Sequence, residues 1–279
     1  METTNKTSEV ITNSIDNNYT KAKSGEDEPT YIIIKQGEYS VATNLLSVKA
    51  QTKAEQIKDI VNAELLPLAR NQLNLLSAKG GDYKTFVALR SAMHFTAKED
   101  TKVLCIFTED TIQQVANRIH SLAAYEPAFD DAKLNVISID EFAPDNVDEI
   151  IKLMDKTKEE VGLIILDPLL AFYEDDENDN TRAKKFMNKL AKSGRKNNTT
   201  LLILHHSAKG VNNSRGASAF TDACRVVYHR STSDTTLAKD KADGTATFEL
   251  YKDNIGVEYL TGKSEFNVQV INGTKHEKL

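Results

Sequence analysis

The sequence predicts an α/β protein: a mainly parallel central sheet flanked by helices, with antiparallel strands at its C-terminal edge. Short continuous apolar runs recur at residues 73–76, 103–107, 134–139, 163–166 and 200–204. Between them lie segments with the 3.6-residue period of amphipathic helices, at 85–96, 111–122, 146–156 and 181–192. Runs apolar throughout belong to strands buried on both faces, which is the condition of a parallel sheet covered by helices. After Asp222 the texture changes, and 225–228, 245–251 and 266–271 read as closing, antiparallel strands.

Taken from the N-terminus, residues 1–28 are rich in Asn, Thr, Ser, Lys and Glu and read as a disordered tail. Residues 29–66 form a small segment expected to pack on the core, and 67–279 form the main domain. Within the small segment, Tyr31-Ile32-Ile33-Ile34 is a short strand. Residues 49–66 carry helical periodicity through Ala54, Ile57, Ile60, Val61 and Leu65. Asp145 is placed to N-cap the helix that starts at 146, and Asp110 to cap the one that starts at 111.

The chain has 279 residues, 40% hydrophobic and 27% charged, which suits one large α/β domain with tails. No apolar run approaches the roughly 20 residues of a membrane helix. The first residues lead into no apolar signal core, so a cytoplasmic protein is expected. Cys105 and Cys224 sit in apolar contexts without metal-ligand spacing and read as small core residues. A net charge of −6 excludes a surface coated with basic patches. It leaves room for nucleic acid in a ring whose positive charge is confined to the channel.

The octet Ala78-Lys79-Gly80-Gly81-Asp82-Tyr83-Lys84-Thr85 lies between an apolar run and the helix that follows it. It nearly fits G-x-x-x-x-G-K-[ST], the phosphate-binding loop of nucleotide hydrolases. In that loop, backbone N–H groups and the helix N-terminus hold phosphate oxygens. Gly80, Gly81, Asp82 and Tyr83 would form the cradle, with Lys84 at the β- and γ-phosphates. Thr85 would bind Mg2+ through its hydroxyl. Both signature glycines are replaced, by Ala78 and Tyr83, so the Tyr83 side chain must point away from the phosphates. The competing reading makes Lys84 and Thr85 ordinary first-turn residues of a helix.

Further along, Gly162-Leu163-Ile164-Ile165-Leu166-Asp167-Pro168 is an apolar strand ending in a carboxylate, the pattern of a Walker B segment. Asp167 could hold Mg2+ through its water shell, or simply end the strand in a turn. Glu109, at the C-terminal edge of another strand, could orient or deprotonate an attacking water; its structural alternative is a helix cap. His205 and His206 are consecutive on a strand and point to opposite faces, so they cannot easily share one metal ion. His206 is the better sensor of a γ-phosphate. Arg215 precedes a predicted helix and could serve a neighbouring subunit's nucleotide as a finger; alone it reads as a surface arginine. Lys252 says little alone, and the acidic run at 174–179 reads as a solvated loop.

In this order the segments resemble the RecA-like ATPases, and among them the RepA-type hexameric replicative helicases of plasmids and phages. The resemblance runs from about Ala63 to Ile271. It is most specific in Ile203-Leu204-His205-His206-Ser207-Ala208-Lys209-Gly210, followed by Ser214-Arg215-Gly216. It implies a RecA-like ATPase domain that hydrolyses ATP with Mg2+ between subunits of a homo-oligomeric, hexameric ring. The work implied is translocation on single-stranded DNA, hence unwinding in replication. Glu109 would be the catalytic base, with Lys84, His206 and Arg215 completing the catalytic set. Thr85 and Asp167 would serve the metal, and Lys252 would reach the nucleotide bound next door. Lys209, Asn212 and Asn213 would touch DNA from a loop facing the channel. A replication initiator or a primase is the further partner implied. The departures at Ala78 and Tyr83 bear on the rate of hydrolysis more than on the fold. They support a rival, a ring protein that binds nucleotide with weak or no hydrolysis; a recombination or repair ATPase on the same fold is the third reading.

Overall fold

The structure is a computed structural model that describes residues 19–21, 30–34, 39–43, 50–139, 141, 144–207 and 218–271. The chain divides into two compact units, Met1–Thr52 and Lys53–Leu279. In the first, β1 (Tyr19–Lys21), β2 (Thr30–Ile34) and β3 (Tyr39–Thr43) form an antiparallel meander.

The second unit opens with α1 (Lys53–Gln56), a 3-10 turn at Ile57–Asp59, and the pair β4 (Ile60–Val61) and β5 (Leu68–Ala69). The long helix expected over 49–66 is therefore absent. Asn62 takes a left-handed backbone (φ 55°) and Leu65 N–H bonds its carbonyl at 3.0 Å, which turns the chain into a hairpin. The apolar spacing there reflects burial of Ile60, Val61 and Leu66 in that hairpin.

The main sheet then builds from β6 (Leu73–Ala78), α2 (Lys84–Lys98), β7 (Lys102–Phe107), α3 (Ile112–Leu122) and β8 (Leu134–Ile137). It continues through α4 (Val147–Thr157), β9 (Val161–Asp167), α5 (Asn180–Lys196) and β10 (Thr200–His206). Last come α6 (Ala219–Asp222), β11 (Val226–Arg230), α7 (Asp234–Asp243), β12 (Thr245–Asp253), α8 (Val257–Thr261) and β13 (Glu265–Gln269). The spatial order is β13-β12-β11-β6-β10-β9-β7-β8. β11, β6, β10, β9, β7 and β8 run parallel, while β12 and β13 are antiparallel. β11 thus corrects the expectation for 225–228: it joins β6 in parallel and shields the P-loop strand from the edge.

Two apolar layers cover the sheet. α2, α3 and α8 bury Val87, Leu89, Met93, Val115 and Leu260 on one face. α4, α5 and α6 bury Ile150, Met154, Met187, Leu190 and Phe220 on the other. The central β6 is buried along its whole length, including Asn74. Asn74 is satisfied: its Oδ1 accepts from Ala69 N–H at 2.7 Å and its Nδ2 donates to Leu201 O at 3.1 Å. Those bonds lock β5, β6 and β10 together directly below the octet. α4 is capped by Asn146, not Asp145; the Asn146 side chain accepts from Asp148 N–H and Glu149 N–H, both at 3.1 Å.

Candidate active site

Parallel strands end at the same sheet edge, where the C-terminal ends leave a crevice. β6, β7, β9 and β10 each deliver polar residues there, around a cleft of ≈ 280 Å3. From β6 the chain enters a turn in which Gly81 has φ 82° and Tyr83 has φ 61° and ψ 14°. Tyr83 therefore keeps the left-handed backbone that the missing glycine would adopt freely. For a residue with a Cβ this conformation costs roughly 1–2 kcal/mol. Its ring turns onto Phe86 in an edge-on contact, centroids 6.0 Å apart, and both rings line the cleft. A Cβ built on Gly80 or Gly81 would meet nothing within 4 Å, so open space lies over the loop. α2 begins without a side-chain cap and without acidic residues in its first turn. Its N–H groups and positive dipole end are left for an anion. The residues present fit a nucleotide's phosphates.

Lys84 is buried, and its Nζ donates to the carbonyls of Ala78 (3.0 Å) and Lys79 (2.9 Å). Burial holds its pKa below the usual lysine value, against the opposing pull of Asp167, Asp82 and Glu109. Thr85 Oγ1 donates to Asp167 Oδ2 at 2.6 Å. Asp167 ends β9 and is 7% exposed. Burial raises its pKa to about 6, opposed by the Thr85 hydrogen bond and the Lys84 charge. A hydroxyl and a carboxylate held together beside a lysine are hard oxygen ligands of the kind Mg2+ takes, with waters completing the shell.

Glu109 is exposed and lines the same cleft beyond the end of β7. Thr108 N–H bonds the Asp167 carbonyl at 3.1 Å, which ties that edge to β9. Asp110 is not the helix cap. Thr111 caps α3 in a reciprocal box with Gln114, whose Oε1 accepts from Thr111 N–H at 2.8 Å. Asp110 instead pairs with Arg118, whose Nη2 lies 2.8 Å from Oδ1. Arg118 also stands 5.5 Å from the Phe86 ring centroid. Phe86, Asp110 and Arg118 all line the cleft; sequence reasoning assigned Asp110 only a capping role and gave Phe86 and Arg118 no place in the site. The signal was the Thr-x-x-Gln pattern at Thr111, which sets the start of α3 and turns Arg118 back toward Asp110.

His206 lines the cleft at the end of β10, and His205 is buried against Phe220, ring centroids 5.3 Å apart. Lys84, Thr85, Glu109, Asp167 and His206 are thus brought together with Gly80, Gly81, Asp82 and Tyr83. Lys252 is not among the cleft residues; its Nζ donates to the carbonyls of Thr221 (3.1 Å) and Asp222 (2.6 Å) at the end of α6. Lys209, Asn212, Asn213 and Arg215 lie outside the described residues.

A family model described as the AAA domain matches residues 41–212, well over half of the chain. The chain belongs to the AAA domain family. Among solved structures, this AAA domain protein is similar to one described as an ATPase domain, with TM-score 0.52 and 13% identity over 66% of this chain and 78% of that one. It is also similar to a DnaB-like replicative helicase whose structure is described with its interactions with primase, with TM-score 0.53 and 14% identity. That match covers 66% of this chain and 53% of the other, about half its length. At these identities the likeness is one of fold: a RecA-like α/β core carrying a P-loop. No curated protein matches the chain significantly. No described helix is long and apolar enough to cross a membrane.

Proposed function

We propose that this protein is an ATP-hydrolysing motor of the RepA-type replicative helicase kind. On this reading it assembles as a hexameric ring in the cytoplasm and translocates on single-stranded DNA. The observation that carries this reading is the Thr85–Asp167 hydrogen bond, 2.6 Å long, beside Lys84 in the cleft that Glu109 and His206 also line. Mg2+ held by Thr85 and Asp167 would supply charge neutralisation at the β- and γ-phosphates. Lys84 would leave the Ala78 and Lys79 carbonyls for phosphate oxygens, and the loop N–H groups would cradle them. Glu109, open to solvent, accepts the proton of the attacking water as the water adds in line to the γ-phosphorus and the β–γ bridge breaks. His206 hydrogen-bonds the γ-phosphate and passes its loss to the 209–214 loop. Arg215 of a neighbouring copy stabilises the charge that develops, and Lys252 serves the neighbour's nucleotide. Lys209, Asn212 and Asn213 contact the DNA backbone, and a primase or initiator docks on the assembled ring.

One observation favours a second reading, a ring protein that binds nucleotide and turns it over weakly. Tyr83 occupies the strained position next to the phosphate lysine. Phosphate release measured with and without single-stranded DNA separates the two. DNA-stimulated release supports the motor. Nucleotide binding with no release supports the second reading.

A further inference from the structure

α5 carries seven cations, Arg182, Lys184, Lys185, Lys189, Lys192, Arg195 and Lys196, and no carboxylate, in a chain of net charge −6. Its buried stripe, with Ala183, Phe186, Met187, Leu190 and Ala191, leaves the cations on the opposite, exposed face, in two adjoining flanks. The flank toward α4 is largely neutralised. Arg182 pairs with Asp175 and Asp179, Lys189 with Asp148 (3.0 Å) and Lys196 with Asp155 (3.2 Å). Lys185 shares a cavity with Glu174, Asp175 and Asp148.

The other flank forms no ion pair among the described residues. Lys184, Lys192 and Arg195 are exposed, and among the described residues no carboxylate lies within 4 Å of their charged nitrogens. Arg195 reaches only the neutral Gln72 Oε1, at 3.4 Å. Asn180 and Asn188 extend the same edge at four-residue spacing and add neutral amide donors. From 180 to 195 the edge runs roughly 22 Å along the helix. Its N-terminal half forms one wall of a cleft of ≈ 370 Å3, whose opposite wall is α6, with Ser218 and Ala219. Asp222, the one carboxylate on that cleft among the described residues, stands on the α6 side. Asn180 Oδ1 accepts from Ala219 N–H at 3.1 Å, which ties that end of the edge to α6, and Lys184, Asn188, Lys192 and Arg195 continue it.

On one flank of this helix three of the four cations are ion-paired, and on the other none is, among the described residues. An edge of lysine, amide and arginine donors at helical repeat suits a line of evenly spaced monoanions, which is the chemistry of a phosphodiester backbone. We propose that the Lys184–Asn188–Lys192–Arg195 edge of α5 is a track for the backbone of single-stranded nucleic acid, in addition to the contacts proposed for Lys209, Asn212 and Asn213. It rests on the motor reading in taking single-stranded nucleic acid as the polymer.

The test uses the full-length protein and a fluorescent oligothymidylate, with binding followed by anisotropy over a range of salt. K184Q/K192Q/R195Q removes three charges from the open edge, and K185Q/K189Q/K196Q removes three from the neutralised flank. For single strands each phosphate neutralised contributes about 0.7 to the slope of log K against log salt. The open-edge variant should lose about 2 from that slope and bind more weakly, with unstimulated ATPase unchanged. The flank variant should keep the wild-type slope. An open-edge variant that folds, by thermal melting, and keeps the wild-type slope overturns the track while leaving the motor reading intact. So does one that binds DNA normally and shifts only the native mass, since the edge would then face the acidic surface of a second copy. A wild-type protein that binds no oligothymidylate overturns the DNA part of the motor reading and the track with it.

Discussion

Replacing Asp167 by Asn should stabilise the metal-free protein at neutral pH. Asp167 has a folded pKa of about 6 against the ordinary 3.8 of an aspartate, because burial penalises its charge. A carboxyl whose pKa is raised on folding binds its proton more tightly in the native state. Above pH 6 the native state must carry the buried charge, so the group subtracts from stability; the penalty fades as pH falls through 6 toward 3.8. A rise from 3.8 to about 6 corresponds to about 3 kcal/mol at full ionisation. Asn is isosteric and still accepts from Thr85 Oγ1, so the 2.6 Å contact survives. Loss of the attraction between Asp167 and Lys84 offsets part of the gain, leaving about 1–2 kcal/mol. Urea unfolding of D167N and wild type in EDTA from pH 4 to 8 should show that gain at pH 7.5 and none near pH 4. With Mg2+ and ADP, wild type should gain stability and D167N should not. A D167N protein less stable than wild type at pH 7.5, or a difference independent of pH, refutes the assignment of a buried charge at this site.

Other substitutions test the backbone and packing at the loop and elsewhere in the fold. Tyr83→Asn and Tyr83→Val should differ by about 1–2 kcal/mol in urea, with Asn the more stable, because Asn visits the left-handed backbone and a β-branched residue does not. His229 is buried and held neutral, with its pKa lowered to about 4 mainly by burial. Below pH 6.5 the unfolded chain takes up a proton that the folded site refuses until about pH 4, so stability should fall across that window by up to about 3 kcal/mol. Denaturation midpoints of His229→Gln against wild type at pH 7 and 4.5 isolate this loss from the opposite contribution of Asp167. Asp240→Ala should cost about 3–5 kcal/mol, because it leaves Arg230 as an uncompensated buried charge. The pair lies 2.6 Å apart with side chains 5% and 1% exposed, and a thermal melt reads the loss.

The central fold was legible where burial is uniform. β7, β9 and β10 are continuous apolar runs, and the octet sits where such a run meets a helix. The polar residues at the ends of those strands could be assigned to the crevice because parallel strands share one open edge. Periodicity misled over 49–66, where apolar spacing arose from a hairpin turned by Asn62. α7 was invisible for the opposite reason: it has no apolar stripe and buries only Asp240, tied to Thr245 (3.0 Å), Thr247 (2.8 Å) and Arg230. The Asp110–Arg118 pair depends on where α3 starts, so a slip in the cap hid a residue of the cleft. Tyr83 looked like damage to the motif because a residue letter does not show φ; the backbone retains the glycine conformation that the letter lacks.

Phosphate release by full-length wild type and Lys84→Ala, with Mg2+ and ATP and with and without single-stranded DNA, bears most directly on the cleft as the site of a motor. Wild type should release phosphate and be stimulated by DNA, and Lys84→Ala should be reduced to background while melting like wild type without nucleotide. Stimulated release that survives in a folded Lys84→Ala protein would contradict the assignment.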